Sequence, residues 1–352
     1  MTLEQTIALV RPLCGESMDA ARRRFSDIAM PLGSLGLLQE AVVQLAGIQR
    51  TGRPEIGRRA VVVFCADNGV VAEGVTQCGQ EVTAVVAENM GRGQSTVCLM
   101  ARRIGMDAFP VDIGVARDVQ GDRILRRKVR YGTADLLEQP AMTREEAVRA
   151  VETGISLAEQ CAADGYRLLC GGEMGIGNTT TSAAVTAALT GADVYTVTGR
   201  GAGLSSAGLS RKVCVIQTAL ALHRPDPDDP MDVLHKVGGL DIAGLAGLYL
   251  GAAACGLPAV LDGVISCAAA LLAVRLCPAA GDYLIAAHRP EEPAGKLLLE
   301  RLGKTPMIAA GLRLGEGTGA VAAVSLLDLT LAAYDGMVSF AETGIEAYTP
   351  QA

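Results

Sequence analysis

The sequence predicts an α/β fold, a mainly parallel sheet flanked by helices, and two observations carry that prediction. Half of the 352 residues are apolar, yet only 3% are aromatic and none is Trp, so Ala, Val, Leu and Ile must build the core among 42 glycines. That mixture suits short buried strands alternating with small-residue helices, and not an all-β sandwich, which draws on aromatics and Thr. The second observation is order along the chain: apolar runs of strand length alternate with stretches of helical periodicity, the pattern of right-handed βαβ crossovers.

Residues 1–50 read as helical from the apolar spacing in MDAARRRFSDIAM and LGLLQEAVVQLAGI, with a loop at 31–36 between them. RRAVVVFCADNG is a continuous apolar run ending in Asp67, Asn68 and Gly69, as a buried parallel strand and its turn would be. A long helix is expected from about Gln80 to Ile104, then a second strand at 108–115. The helix at 143–165 opens on a Thr143/Glu146 capping box and closes at Gly165. RLLCGGEMG is a third strand running into a helix near Asn178. Further strands are expected near 259–265 and 283–288, between Ala/Leu-rich helices. HRPDPDDPMD (223–232) reads as a loop within the domain, and the sequence contains no repeat or low-complexity tract.

Several classes are set aside by charge and composition. The net charge is −7 and no long basic stripe appears, which disfavours nucleic-acid binding; Arg126, Arg127 and Lys128 read as a solvated strand edge. None of the ten cysteines falls in a CxxC pair, and most lie in apolar runs, as reduced buried thiols of a cytoplasmic protein do. Three dispersed histidines offer no metal cluster. The N-terminus has an early acidic residue and no apolar core, unlike a signal peptide. Residues 242–261 carry no charge, but their Gly and Ala content, Pro258 and the absence of basic anchors favour a buried helix and strand over a membrane span.

The most unusual peptides, CADNGVVAEGV, GGEMGIGNTTT and RLGEGTGA, fall at expected strand or helix ends, where open parallel sheets bind ligands. A dinucleotide fingerprint fails on spacing, because Leu204 stands where GxGxxG needs its last Gly, and no cofactor is expected. Gly175, Gly177, Asn178 and Thr179 open a helix and form either a phosphate cradle or an ordinary cap. Lys212 is either the balancing cation or a solvated helix lysine. Glu316, preceded by Leu314 and Gly315 and followed by Gly317, is the sharpest signal. It either favours a helix dipole or, with glycines allowing a ligand close and apolar surroundings raising its pKa, acts as a base.

These peptides, with PLGSLGLLQEAVVQLA, EVTAVVAENMGRG, DVLHKVGGLDIAGLAGLYLGAAACGLPAVLDG and YLIAAH, run nearly end to end and resemble the nicotinate-nucleotide–dimethylbenzimidazole phosphoribosyltransferase family, which makes the lower-ligand nucleotide of cobamides. The resemblance implies a Rossmann-like catalytic domain over 55–325 and a small helical domain from 1–50 and 326–352. It implies small-molecule substrates, nicotinate mononucleotide and an aromatic base, and a dimer with active sites near the contact. It makes Glu316 the catalytic base and places Glu173 and Lys212 in the active site, with Gly175, Gly201 and Gly203 in ribose-phosphate loops and His288 beside the substrate.

The sequence also departs from the family. Asn68 stands where His is common, Cys78 and Gly79 replace a Ser-Pro pair, Val86 replaces a polar residue of the acceptor pocket, and Ala287 replaces a Ser able to contact phosphate. A less polar acceptor pocket is expected, with an acceptor range extended to phenols. The alternative is a partner subunit of a hetero-oligomeric transferase, with reduced or no activity alone.

Overall fold

The computed structural model describes residues 1–349. Its sheet has six strands: β1 (Arg59–Ala66), β2 (Asp107–Gly114), β3 (Leu125–Arg126), β4 (Leu168–Met174), β5 (Ala259–Leu261) and β6 (Leu284–Ala286). They lie in the order β3-β2-β1-β4-β5-β6, and every neighbouring pair is parallel. The chain starts in the middle, winds outward to β3, then returns to lay β4 against the other side of β1. Doubly wound sheets bind ligands outside the carboxyl ends of their strands, beside such a reversal.

β1 shows why the sequence reads as one apolar run. All eight of its residues are buried, and alternate side chains serve opposite faces. Ala60, Val62 and Phe64 join a core with the helices Arg144–Ala163, Leu240–Ala254 and Val264–Leu276. Val61, Val63 and Cys65 join a second core with Leu37–Gln49 and Thr318–Gly336.

The helix Leu240–Ala254 is buried at every residue from Leu240 to Ala253, which accounts for the uncharged stretch at 242–261. It crosses Arg144–Ala163 at backbone contact: a Cβ on Gly247 would lie 1.9 Å from the Val151 carbonyl oxygen. Gly247→Ala is therefore expected to cost about 1–3 kcal/mol of stability by overpacking, read as a lower denaturation midpoint at unchanged m-value. The helix Thr318–Gly336 is long and apolar enough to cross a bilayer by length and composition, and here its Ala320, Val321, Ala323, Val324 and Leu327 fill the second core.

The capping box at Thr143 and Glu146 forms as expected and starts Arg144–Ala163. The long helix expected from Gln80 to Ile104 does not. It is two helices, Glu81–Gly91 and Thr96–Arg103, broken where Gly93 turns to φ +71° and Ser95 caps the second by accepting from the Cys98 amide at 3.4 Å. Apolar periodicity carries across the break, so only the Gly and the Ser cap mark it. β5 and β6 are also shorter than expected, since Asp262 and Gly263 already lead into the helix Val264–Leu276. The loop at 223–232 ends early, at Asp229, which caps the helix Pro230–Val237. Lys128 is not solvated: its ammonium lies 3.1 Å from buried Asp112, while Arg126 and Arg127 are exposed.

The chain ends meet. Arg24 donates to the carbonyls of Tyr334 and Met337, the Phe25 ring lies 4.8 Å from that of Tyr334, and Ile28 bridges to Ser339. Residues 350–352, the last of the expected small domain, lie outside the described residues.

Candidate active site

A cavity of ≈ 320 Å³ opens beyond the carboxyl ends of β4, β5 and β6. Cys78, Val86, Glu173, Gly175, Gly177, Asn178, Thr179, Gly201, His288, Leu314, Gly315 and Glu316 all line it. Gly203 and Lys212 do not. Gly203 accepts a hydrogen bond from the Gln77 side chain, which does reach the cavity, and Lys212 stands behind Thr179.

Glu316 sits in a rare backbone conformation. Gly315, Glu316 and Gly317 have φ of +86°, +62° and +89°, so the one non-glycine among three left-handed residues is the glutamate. That costs roughly 1–2 kcal/mol for an L-residue and persists only where neighbours hold it. Gly172 of β4 leaves room for the Glu316 carbonyl, since a Cβ there would lie 2.4 Å from that oxygen. From the end of β5, Asp262 accepts from the amides of Gly317, Gly319 and Ala320 at 3.1, 2.7 and 3.1 Å. The Glu316 carboxylate is half-buried and accepts from the Val97 amide at 3.3 Å, in the first turn of Thr96–Arg103. Burial raises its pKa, the Val97 amide pulls it back and Asp262 raises it again, leaving it above its ordinary value.

Glu173, at the end of β4, is buried and its pKa is pushed up to about 8, first by desolvation, then by the charges of Asp241 and Asp262. The Asn178 side-chain amide donates to Glu173 and, at 3.0 Å, to Asp241. Asp241 is fully buried and pushed up to about 6 by desolvation. Neither Asp241 nor Asp262 was singled out by sequence reasoning. Their only signal is a single carboxylate interrupting a long apolar run, at the first turn of a buried helix or the end of a buried strand.

The opposite wall is built for an anion. Gly177 (φ +95°) starts the helix Asn178–Thr190; the Asn178 and Thr180 amides donate to the Gly175 and Gly177 carbonyls at 3.0 and 2.9 Å, which leaves the Thr179 amide as the first-turn donor for an anion. The Thr180 hydroxyl, buried beside them, has no hydrogen-bond partner. Thr179 accepts from Lys212 at 2.7 Å. Lys212 is 0% exposed, not solvated, and burial lowers its pKa to about 8 against a raising pull from Glu292.

Of the four departures, Cys78 and Val86 face the cavity, with Leu314, and make that wall apolar. Asn68 does not; it ties the turn after β1 to the Ile176 carbonyl and the Thr181 hydroxyl. Ala287 does not either. It is fully buried in the second core, so a side chain at this position points away from the cavity rather than toward a phosphate.

Comparison with known proteins identifies this arrangement. The sequence matches the phosphoribosyltransferase family over residues 10–345. It is 45% identical over 349 residues to the nicotinate-nucleotide–dimethylbenzimidazole phosphoribosyltransferase of Acetivibrio thermocellus, covering 99% of both chains. The chain belongs to this family. The phosphoribosyltransferase of the same name from Chloroflexus aggregans is 47% identical over 344 residues, 97% of this chain and 98% of that one. The fold agrees as closely: a crystal structure of CobT from Thermus thermophilus superposes with a TM-score of 0.89 at 42% identity, covering 95% of this chain and all of the other (100%). Sequence and fold thus place the chain in the same family.

Proposed function

We propose that this chain transfers the 5-phosphoribosyl group of nicotinate mononucleotide to an aromatic base, releasing nicotinate and inverting the anomeric carbon from β to α. The observation that carries the proposal is one cavity with an anion-binding helix start and buried lysine on one side, and a carboxylate of raised pKa on the other. The nucleotide phosphate takes the Gly175–Thr179 corner, with Gly201 and Gly203 shaping the loop over it and Lys212 balancing its charge through Thr179.

Nicotinate bound through its ring nitrogen is a cationic leaving group. As the acceptor nitrogen forms its bond to the anomeric carbon from the opposite face, the old carbon–nitrogen bond breaks and its electron pair returns to the nicotinate ring. The acceptor ring then carries the positive charge, and its second N–H passes a proton to Glu316. Glu173 is a second polar group facing the reacting centre, and the cavity walls hold both rings in line.

The wall of Cys78, Val86 and Leu314 favours an acceptor range that includes phenols. A phenol transfers its hydroxyl proton to Glu316 as its oxygen bonds to the sugar, so the same base serves. Turnover with dimethylbenzimidazole and p-cresol, measured side by side, is expected to give a phosphoribosylated product from both. Product from the base and none from any phenol removes the wider range.

We also propose a cytoplasmic dimer, of this chain or with a related chain, in which residues 1–50 and 326–352 act as the small domain. The purified chain alone is expected to release nicotinate from nicotinate mononucleotide when an acceptor is added. Activity appearing only with a second, related chain would favour the partner-subunit reading instead.

A further inference from the structure

We propose that Asp262 is the positioning residue of the candidate base, fixing Glu316 in its left-handed conformation through the backbone amides that follow it. The inference rests on the reading of Glu316 as base. The geometry is direct. Both Asp262 oxygens are occupied by backbone donors: Gly319 and Ala320 at 2.7 and 3.1 Å on one, Gly317 at 3.1 Å on the other. Those amides belong to the residue after Glu316 and the first turn of the helix that follows. The Asp262 backbone N–H in turn donates to the Ser266 hydroxyl at 2.9 Å, so the residue is held at both ends. With Gly172 receiving the Glu316 carbonyl, the chain is pinned on both sides of the one glutamate whose φ no helix or strand would supply.

A neutral capping residue, Asn, Ser or Thr, satisfies such amides without a charge. A carboxylate buried to 2% exposure is an expensive substitute unless its charge has a use. Burial raises its pKa; His288, 3.8 Å away, and the three amides push it back. Since its oxygens meet only donors, it stands as the anion, and that charge faces Glu316. Other groups act on Glu316 too. Glu173 approaches from β4, the Val97 amide from Thr96–Arg103, and His288 stands behind Asp262 at the end of β6; Arg200, Glu291 and Arg313 line the exposed rim. Of the carboxylates, only Asp262 is also bonded to the segment carrying Glu316.

A cap that acts through structure alone scales the rate at every pH. A charge that holds up the affinity of the base for its proton also sets where the acid limb of the pH–rate profile falls. The test is the kcat/KM pH profile of Asp262→Asn and Asp262→Ser beside wild type, with folding checked by circular dichroism and melting. Asn keeps the length and one acceptor oxygen of the native side chain without its charge, while Ser, one atom shorter, also gives up the reach to the amides. The expected result is a fall of roughly 10²-fold at neutral pH, as small misplacements of a catalytic group produce. The acid limb is expected to move to lower pH by about half a unit or more, since Glu316 loses a like charge. The KM for nicotinate mononucleotide stays near the wild-type value. A folded variant whose profile superposes on wild type after scaling, or that keeps full activity, overturns the inference. Glu316→Gln in the same series separates the two readings. If it is inactive while Asp262→Asn is merely scaled, only the positioning role fails; if it is fully active, the base reading fails first.

Discussion

Glu316→Gln is expected to lower kcat by roughly 10²–10⁴-fold, the usual contribution of a general base, while both substrates still bind. The amide keeps the shape of the side chain but cannot take a proton at neutral pH. Because the backbone at this position is held by Gly172 and Asp262 rather than by the carboxyl itself, the loop is expected to survive the change. Steady-state kinetics with isothermal titration of each substrate check this. A large rise in both dissociation constants with little change in kcat would mean that the residue binds rather than reacts. The pH dependence has a definite sign. The pKa of Glu316 is raised above its ordinary value, and only the ionised form acts as base, so activity falls as pH drops through that raised pKa.

Lys212→Met is expected to act in opposite directions on stability and on binding. In the ligand-free fold the lysine has lost its hydration for a single bond to Thr179, and its pKa falls from 10.5 to about 8. At 1.36 kcal/mol per pKa unit, that fall corresponds to a penalty of about 3 kcal/mol at pH 7. The folded value lies below the unfolded one, so the unfolded chain binds more protons between about pH 8 and 10.5, and stability rises with pH across that window; below it the full penalty stands. Methionine removes the penalty, and the ligand-free variant is expected to melt higher than wild type at pH 7. A bound phosphate restores to the lysine the partner it lacks, so wild type is expected to gain stability from nicotinate mononucleotide and the variant to gain little. Its KM for the nucleotide is expected to rise about 10- to 100-fold, as loss of the charge that polarises Thr179 toward the phosphate implies. Melting curves with and without nucleotide read both effects, and a variant that melts lower when ligand-free would refute the desolvation account.

The sequence made the sheet legible because its strands are buried on both faces and so read as unbroken apolar runs. RRAVVVFCA and RLLCGGEM are β1 and β4 almost to the residue. The strands at the far edge were harder, since β5 and β6 hold only three residues each and give periodicity nothing to repeat. The split of the expected helix at 80–104 was missed because a Gly and a Ser cap weigh little against apolar spacing on both sides. That break supplies the helix start whose Val97 amide meets Glu316. Glycine flanks made Glu316 visible. Asp241 and Asp262 were not, because their importance lies in what they touch across the sheet ends, and a lone carboxylate in an apolar run does not name its partners. For Lys212 the sequence leaves two options, a balancing cation or a solvated lysine, because a lone lysine on a helix carries no sign of which way it faces; the fold turns it inward onto Thr179.

The central claim is that a single cavity exchanges one ring for another on the same anomeric carbon, with a protein carboxylate taking the proton. The purified chain, given nicotinate mononucleotide and dimethylbenzimidazole, tests it by mass spectrometry and proton NMR of the products. The account predicts nicotinate and an α-ribosyl-phosphate nucleotide of the base in equal amounts. Nicotinate released with free ribose 5-phosphate, or a product of retained β configuration, would contradict it.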